Sequence, residues 1–317
     1  MNDSEGVALL QWCLPRLGLR WPGFRKVRRR VYKRIDRRMR ALGLPDVAAY
    51  RGYLDGHPEE WPVLDTFCRI PISRFYRDRA VFESLGGEVL PDLARIATAA
   101  GDRELRAWSL GCAAGEEPYT LAVVWQERCA PRFPALTLRI VATDVDADGL
   151  ARAVRGCYPR GSLKDLPVDL LARAFIPSGQ ELCVKPQYRS GIVFLEQDVR
   201  AAAPPEKFHL VLCRNVAFTY FDDAGQRETL RAIEERLVPG GALVVGSTES
   251  LPVGFKGFEP WSAGVRVYRR SVPLLEEAAA AAERGGDWGA GSAMGQALRS
   301  GAGLARSQGG REVSPWG

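Results

Sequence analysis

The sequence predicts an α/β protein in which a mostly parallel, doubly wound sheet follows a small all-α segment. Three observations carry that prediction. From Arg106 to Arg270, strand-like apolar runs alternate with helical patterns, as a parallel sheet with crossover helices requires. The run Arg106-Ala107-Trp108-Ser109-Leu110 ends in a turn holding Gly111 and Gly115, and a helix start follows at Glu116-Glu117-Pro118. Residues 7–60 read as helices throughout.

Taken in order, Phe24, Val27, Val31 and Ile35 recur every three or four residues, giving one apolar stripe with arginines on the other faces. A short helix is expected over 47–55. Residues 60–78 form a connector ending in Pro71-Ile72-Ser73-Arg74-Phe75-Tyr76-Arg77. Residues 80–100 read as one helix, or two separated at Gly86-Gly87. Strands are expected at 106–110, 138–143, 192–197, 208–213, 242–247 and 265–269. Helices are expected at 116–129, 147–155 and 223–237, the last ended by Pro239-Gly240-Gly241. Between Gly156 and Ser190 the alternation breaks, and a helix at 163–175 and a short strand at 181–184 read as an insertion. From 271 the chain is rich in Ala, Gly and Ser, predicting one short helix at 274–284 and disorder elsewhere. The expected divisions are therefore 1–78, a helical domain with its connector; 79–270, the sheet domain with its insertion at 156–190; and 271–317, a tail.

With 317 residues, 46% of them hydrophobic, there is ample material for a core. No uninterrupted apolar run reaches about 18 residues, so membrane insertion is not expected. The start Met-Asn-Asp-Ser-Glu-Gly lacks the marks of a signal peptide, which makes the cytoplasm the expected location. Seven cysteines (13, 68, 112, 129, 157, 183, 213), odd in number and without a Cys-x-x-Cys pair, read as reduced, mostly buried thiols. His57 and His209 are the only histidines, which argues against a zinc site and against a histidine general base; no metal is expected. The net charge of +6 is concentrated: residues 25–40 hold ten Lys or Arg against Asp36 alone, leaving the rest of the chain near −3.

The glycine turn after 106–110 lets a nucleotide-like ligand approach bare backbone. Two glutamates stand at the helix start, where a phosphate binder needs unopposed amide donors. They suit a ligand that carries hydroxyls and positive charge. S-adenosylmethionine, with its ribose, amino group and sulfonium, meets that description; NAD meets it poorly. Asp144 ends the strand 138–143, the usual place of a ribose-hydroxyl acceptor.

Phe75-Tyr76-Arg77-Asp78, Gly111-Cys112-Ala113-Ala114-Gly115-Glu116-Glu117-Pro118-Tyr119, Ala142-Thr143-Asp144-Val145-Asp146, Cys213-Arg214-Asn215-Val216 and Gly246-Ser247-Thr248-Glu249-Ser250 follow one another in that order. Together they resemble the CheR-type chemotaxis-receptor glutamate O-methyltransferases, over about Leu19 to Arg269. The resemblance implies a class I, Rossmann-like methyltransferase domain with a seven-stranded sheet and a small β insertion, preceded by a helical domain, with S-adenosylmethionine as cofactor. It implies that Glu117 and Asp144 bind the cofactor beside the Gly111 turn, with Asp144 on the ribose. Ser73 and Arg77 would close over the methionine end and the acceptor, and Asp198 and Val199 would flank the adenine. Arg214 and Asn215 would line the floor, and Tyr220 would position the acceptor carboxylate. Arg77 and Tyr220 are thus the candidate catalytic residues.

Three departures stand out. Pro71 replaces a frequent Asn, and Asp198 replaces another. The loop Asn215-Val216-Ala217-Phe218-Thr219-Tyr220-Phe221 is one residue longer than is typical, so either a bulge restores Tyr220 or Thr219 points inward instead. A glutamate acceptor, ordinarily titrating near ~4.3, is already ionised at neutral pH and needs no general base. Plainer readings stay open: Arg77 pairing with Asp78 or Glu83, Glu116 as a helix N-terminal carboxylate, Tyr220 as a packing aromatic, Glu249 as a loop brace and His209 as a core residue. The basic stretch 25–40 is a solvated face, a dock for an acidic helical partner such as a chemoreceptor, or a nucleic-acid site. Against the last stand the absence of an Asn-Pro-Pro-Tyr motif and of aromatic interleaving beyond Tyr32. The segment Pro177-Ser178-Gly179 is short for gripping a receptor tail. The competing functions are methylation of RNA or a small molecule, and a non-catalytic cofactor-binding scaffold.

Overall fold

Asn2 starts the first helix through a capping box: its side chain accepts from the Glu5 amide while the Glu5 carboxylate accepts from the Asn2 amide. The computed structural model describes residues 1–262 and 265–272; the tail readings from 273 onward, including the helix at 274–284, lie outside the described residues. Five helices come first: α1 (Asp3–Cys13), α2 (Trp21–Phe24), α3 (Arg28–Ala41), α4 (Val47–Gly56) and α5 (Glu60–Cys68). The apolar stripe turns inward, with Phe24, Val31 and Ile35 fully buried and Val27 half-buried. Glu60, 1% exposed, is held by Arg38 through two bonds of 2.9 and 2.6 Å and by the Tyr50 hydroxyl at 3.0 Å. A buried carboxylate persists only when paired this fully.

Residues 79–99 form α6 (Arg79–Ser84) and α7 (Leu90–Ala99), joined by a wider π-helical turn over Leu85–Val89. Gly86 allows that widening to pack closely, since a Cβ there would meet Val124 Cγ1 at 3.0 Å and Arg128 Cδ at 3.1 Å. Next come β1 (Glu104–Leu110), α8 (Glu116–Val124), β2 (Thr137–Asp144) and α9 (Ala147–Arg155). The insertion supplies β3 (Cys157–Pro159), α10 (Val168–Ala174), β4 (Phe175–Ser178) and β5 (Glu181–Val184), whose strands form a separate antiparallel sheet ordered β3-β5-β4. The chain returns through β6 (Ile192–Glu196), β7 (Phe208–Cys213), α11 (Ala217–Tyr220), α12 (Asp223–Arg236), β8 (Leu237–Val245), β9 (Phe258–Pro260) and β10 (Val267–Arg270).

The main sheet has the order β6-β2-β1-β7-β8-β10-β9, with β10 antiparallel to both β8 and β9 and the other pairs parallel. Strand order reverses between β1 and β7, so a crevice opens beyond their carboxyl ends. One sheet face packs against α6, α7, α8 and the insertion. The other buries Trp108, Val141, Phe208 and Val211 in one apolar cluster with the amino-terminal helices and α12. Among the described residues no helix is long and apolar enough to cross a membrane.

Three expectations are corrected. Cys157 and Cys183 are directly opposed on β3 and β5 and form a disulfide, so the thiols are not all reduced; the other five cysteines are free and buried. The helix expected at 223–237 ends at Arg236, but β8 begins at once at Leu237 instead of at 242, so Pro239-Gly240-Gly241 lies inside the strand, where the pairing with β7 shifts register between Phe208 and Leu210. The seventh strand, β9, escaped the reading because its three residues show no alternation of apolar and polar character.

Replacing Arg38 with Met should leave the Glu60 carboxylate buried without its cation. We expect a loss of roughly 3 kcal/mol in urea unfolding, the lower end for a broken buried pair because Arg38 is itself a third exposed. Arg38→Met, Glu60→Gln together should recover most of that loss.

Candidate active site

The crevice is built from the β1–α8 turn. Gly111 adopts φ +72° and Gly115 φ +90°, while the amides of Gly111 and Cys112 donate to the Thr143 carbonyl at 2.8 and 3.0 Å. A Cβ on Gly111 would lie 2.4 Å from Val216 Cγ2, so glycine is needed for close packing as well as for backbone angle. At the end of β2, Asp144 accepts from the Ala113 amide at 2.7 Å and from the Asp146 amide at 2.9 Å. Burial raises its pKa above the ordinary aspartate value in spite of those amides. Each carboxylate oxygen has acceptor capacity beyond its one amide, and the residue lines the crevice.

Beside the turn, Glu117 accepts from the Ser109 hydroxyl at 2.8 Å and from Arg214 Nη1 at 2.9 Å. Arg214, whose side chain is 3% exposed, also donates from Nη2 to the Arg77 carbonyl at 2.6 Å and to Asp78 at 2.8 Å. One guanidinium thereby joins the end of β7, the start of α8 and the connector. Among the described residues, four other than glycine have left-handed backbone: Tyr76, Asp78, Ala113 and Asn215. All four belong to the segments that meet here, and a bulky residue such as Tyr76 adopts that conformation only under strong local constraint.

At one end, Arg77 donates to the Ile72 carbonyl at 2.9 Å and to Asn215 Oδ1 at 3.1 Å. It does not pair with Asp78 or Glu83, which are engaged by Arg214 and Arg128. Glu249 braces the longer loop, accepting from the amides of Gly246 and Asn215 and from the Thr219 hydroxyl at 2.5 Å. Thr219, so engaged, does not line the cleft, whereas Tyr220 does. Tyr220 lines the crevice with its ring 5.0 Å from Phe24, and burial raises its phenol pKa. At the other end, Asp198 is bound to Arg200 at 2.7 Å and Arg200 to Asp65 at 2.8 Å. Burial pushes the Asp198 carboxyl up, but the Arg200 guanidinium outweighs it and holds the net pKa below the ordinary value.

Ser73, Arg77, Gly111, Glu117, Asp144, Asp198, Val199, Arg214, Asn215 and Tyr220 all line this one cleft of about 420 Å³, a volume suited to a cofactor-sized molecule. Neither histidine lines it: His57 stacks on Tyr53, and His209 is buried between Asp102 and the Arg106 amide. Sequence reasoning missed Asp65, Arg69 and Arg200, which tie the connector to the Asp198 loop and to the Val145 carbonyl. No motif carries them, because their partners lie up to 135 residues away in the chain. It also missed how deeply Glu116 is buried; one of its oxygens has no hydrogen-bond partner and the Ser73 hydroxyl faces the carboxyl. The side chains fit an adenosyl sulfonium: paired acceptors for ribose hydroxyls, and carboxylates for positive charge at the helix start where a phosphate would be repelled.

Comparison with known proteins agrees with this geometry. Residues 72–264 match the family described as CheR methyltransferase, SAM binding domain, and residues 27–64 match CheR methyltransferase, all-alpha domain. The chain is 32% identical over 192 residues to a chemotaxis protein methyltransferase of Listeria monocytogenes, covering 60% of this chain and 70% of that one. It is 32% identical over 229 residues to chemotaxis protein methyltransferase 2 of Pseudomonas aeruginosa, covering 69% and 78%. It is 34% identical over 245 residues, 77% of this chain, to an uncharacterized 104.1 kDa protein in the hypE 3' region of Rhodobacter capsulatus, of which it spans only 25%.

Burial raises the Glu116 pKa, with the Ser73 hydroxyl and Arg152 opposing it more weakly. The fold therefore holds this proton more tightly than the unfolded chain does. The contribution is fully present below the unfolded carboxyl pKa and is lost as pH rises through the folded one. Glu116→Gln, which fixes the neutral form, should raise the thermal unfolding midpoint at pH 7. That gain should vanish as pH falls through the ordinary carboxyl range; a gain independent of pH would refute the assignment.

Proposed function

The chain belongs to the CheR methyltransferase family, and from that premise we propose that it methylates glutamate carboxylates of a protein, a chemoreceptor or chemosensory-type partner. The observation that carries this reading is the meeting of Arg77 and Tyr220 at the end of a cleft lined by Asp144 and Asp198 and by no histidine. A carboxylate acceptor needs a cation and a hydrogen-bond donor, and it needs no base.

S-adenosylmethionine, when bound, supplies a methyl group on a sulfonium that becomes neutral as the methyl leaves. Asp144 would accept from the ribose hydroxyls, and Glu117 would face the positive end. Asp198 and Val199 would flank the adenine, with Gly111 leaving the backbone open to approach. Ser73 and Arg77, on the connector, close over the methionine end. Arg77 retains donors beyond those given to Ile72 and Asn215, and these hold the acceptor carboxylate by charge-assisted bonds. Tyr220, whose phenol is already protonated at neutral pH and is pushed further that way by burial, donates to the same carboxylate. Arg214 and Asn215 form the floor, fixing distance and alignment, which is how positioning lowers such a barrier.

The partner meets the basic face of α3. Arg28 is committed to Asp3, Arg38 to Glu60 and Arg34 to the carbonyls of Phe67 and Arg69. Arg25, Lys26, Arg29, Arg30, Lys33 and Arg37 have no ion pair among the described residues. Phe24, the residue just before this basic run, packs its ring 5.0 Å from that of Tyr220, so the run starts beside the acceptor end. An acidic helix laid along it would present its glutamates to the cleft. In this reading residues 1–78 select the substrate, 79–270 with the insertion at 156–190 carry the reaction, 271–317 lie outside both, and the protein acts in the cytoplasm.

Incubation with methyl-labelled cofactor and an acidic helical receptor fragment should give product that releases volatile methanol when the pH is raised. Stable label in RNA or on nitrogen would overturn the proposal. In the same assay Arg77→Ala should lower kcat roughly 100-fold while calorimetric affinity for S-adenosylhomocysteine changes only a few-fold. An unchanged rate would remove Arg77 from the mechanism.

A further inference from the structure

The four-residue helix α11, which ends at Tyr220, is too short to satisfy its own carbonyls. Its amide-to-carbonyl bonds run back to Val216 and Ala217, leaving the carbonyls of Phe218, Thr219 and Tyr220 without helical partners. All three are taken by a single residue of the amino-terminal segment. Arg20 donates its backbone amide to the Tyr220 carbonyl at 2.9 Å, Nε to Thr219 at 3.2 Å and Nη2 to Phe218. The contact is extended on both sides. Leu19 and Phe221 form an antiparallel bridge, and the Asp222 amide donates to the Gly18 carbonyl at 2.9 Å. Gly23 closes the approach, since a Cβ there would stand 2.3 Å from the Thr219 carbonyl oxygen.

We propose that Arg20 is a positioning residue for methyl transfer, clamping the three free carbonyls of α11 so that the Tyr220 phenol stays at the acceptor end of the cleft. The proposal rests on the acceptor role given to Tyr220 above. A planar guanidinium suits the task because it presents donors in a fixed fork to adjacent carbonyls, which an ammonium on a flexible stem cannot do. A cation at a helix C-terminus also meets the negative end of the backbone dipoles. Arg20 itself lies off the cleft wall and is not a catalytic residue. The residue that orients the acceptor loop therefore comes from the helical segment and lies about 200 positions earlier than the loop it holds.

The test compares the full-length wild type with Arg20→Lys, Arg20→Ala, Tyr220→Phe and the Arg20→Ala, Tyr220→Phe double variant. Methanol-releasing label, kcat, acceptor KM and the Kd for S-adenosylhomocysteine would be measured for each. If the wild type forms no base-labile product, the functional reading fails before this one is reached. Given an active wild type, we expect Arg20→Ala to lose at least 10-fold in kcat with cofactor Kd within about 2-fold. Arg20→Lys, which keeps the charge and guards against misfolding of the alanine variant, should fall between. Removing the Tyr220 hydroxyl should cost much less in the Arg20→Ala background than in the wild type, as expected of residues acting through one another. Additive losses, an unchanged kcat in both Arg20 variants, or a parallel loss of cofactor affinity would each overturn the proposal.

Discussion

The buried guanidinium of Arg214 is the constraint on which the site is assembled. A charge this well sealed from water is tolerable only if it is paired, and Arg214 meets Glu117, Asp78 and the Arg77 carbonyl through its two terminal nitrogens, with Nε alone left unpartnered. Those partners come from the start of α8 and from two consecutive residues of the connector, Arg77 and Asp78. Their relative positions are thus fixed by electrostatics that cannot relax without exposing or orphaning a charge. The same knot explains why the backbone around it enters unfavourable conformations. Tyr76, Asp78 and Asn215 are held left-handed because the side chains beside them are pinned. Strain is stored where geometry matters most and is offset by the ion pairs next to it.

The two ends of the cleft have opposite electrostatic characters. At the Asp144 end, carboxylates held by backbone amides and partly shielded from water accept hydroxyls and favour positive charge. At the Arg77 end, Arg77 keeps free donors, while Glu249 is spent on the loop amides and Thr219, and Asp78 and Glu117 on Arg214. Under the proposed reaction the ribose would sit at the Asp144 end and the acceptor carboxylate at the Arg77 end, with the sulfonium between them and facing Glu117. No titrating base is required, and the histidines stay in structural roles.

Features that depend on local order were legible in the sequence. The glycine turn, the acid ending β2 and the Cys-Arg-Asn-Val run lie at strand ends, and the sheet's topology alone brings strand ends together. Gly111, Glu117 and Asp144, read on that basis, line one cleft together with the seven residues that the family resemblance supplied. What escaped was non-local. The Cys157–Cys183 bond depends on which strands of the insertion pair, and spacing alone carries no such information. Arg200, Asp65 and Arg20 bind partners set by how the helical layer docks, and an arginine bound for a distant carbonyl looks like any surface arginine. The widening at Gly86-Gly87 answers to Val124 and Arg128 on a neighbouring helix, so the sequence left one helix or two undecided there.

The helical layer is therefore part of the active site and not an appendage to it. Arg69 and Asp65 anchor the loop that carries Asp198 and reach the Val145 carbonyl beside Asp144. Residues 18–23 anchor the loop that carries Tyr220. Each end of the cleft thus borrows a wall from the same layer, which also shares its apolar core with the sheet through Trp108 and Phe208. A docking event on the exposed basic face of α3 would act on elements already bonded to both ends of the cleft. Substrate recognition and alignment of the reacting groups then depend on one packed unit, and a change that loosens the helical layer would be felt at the methyl group before it was felt in the sheet.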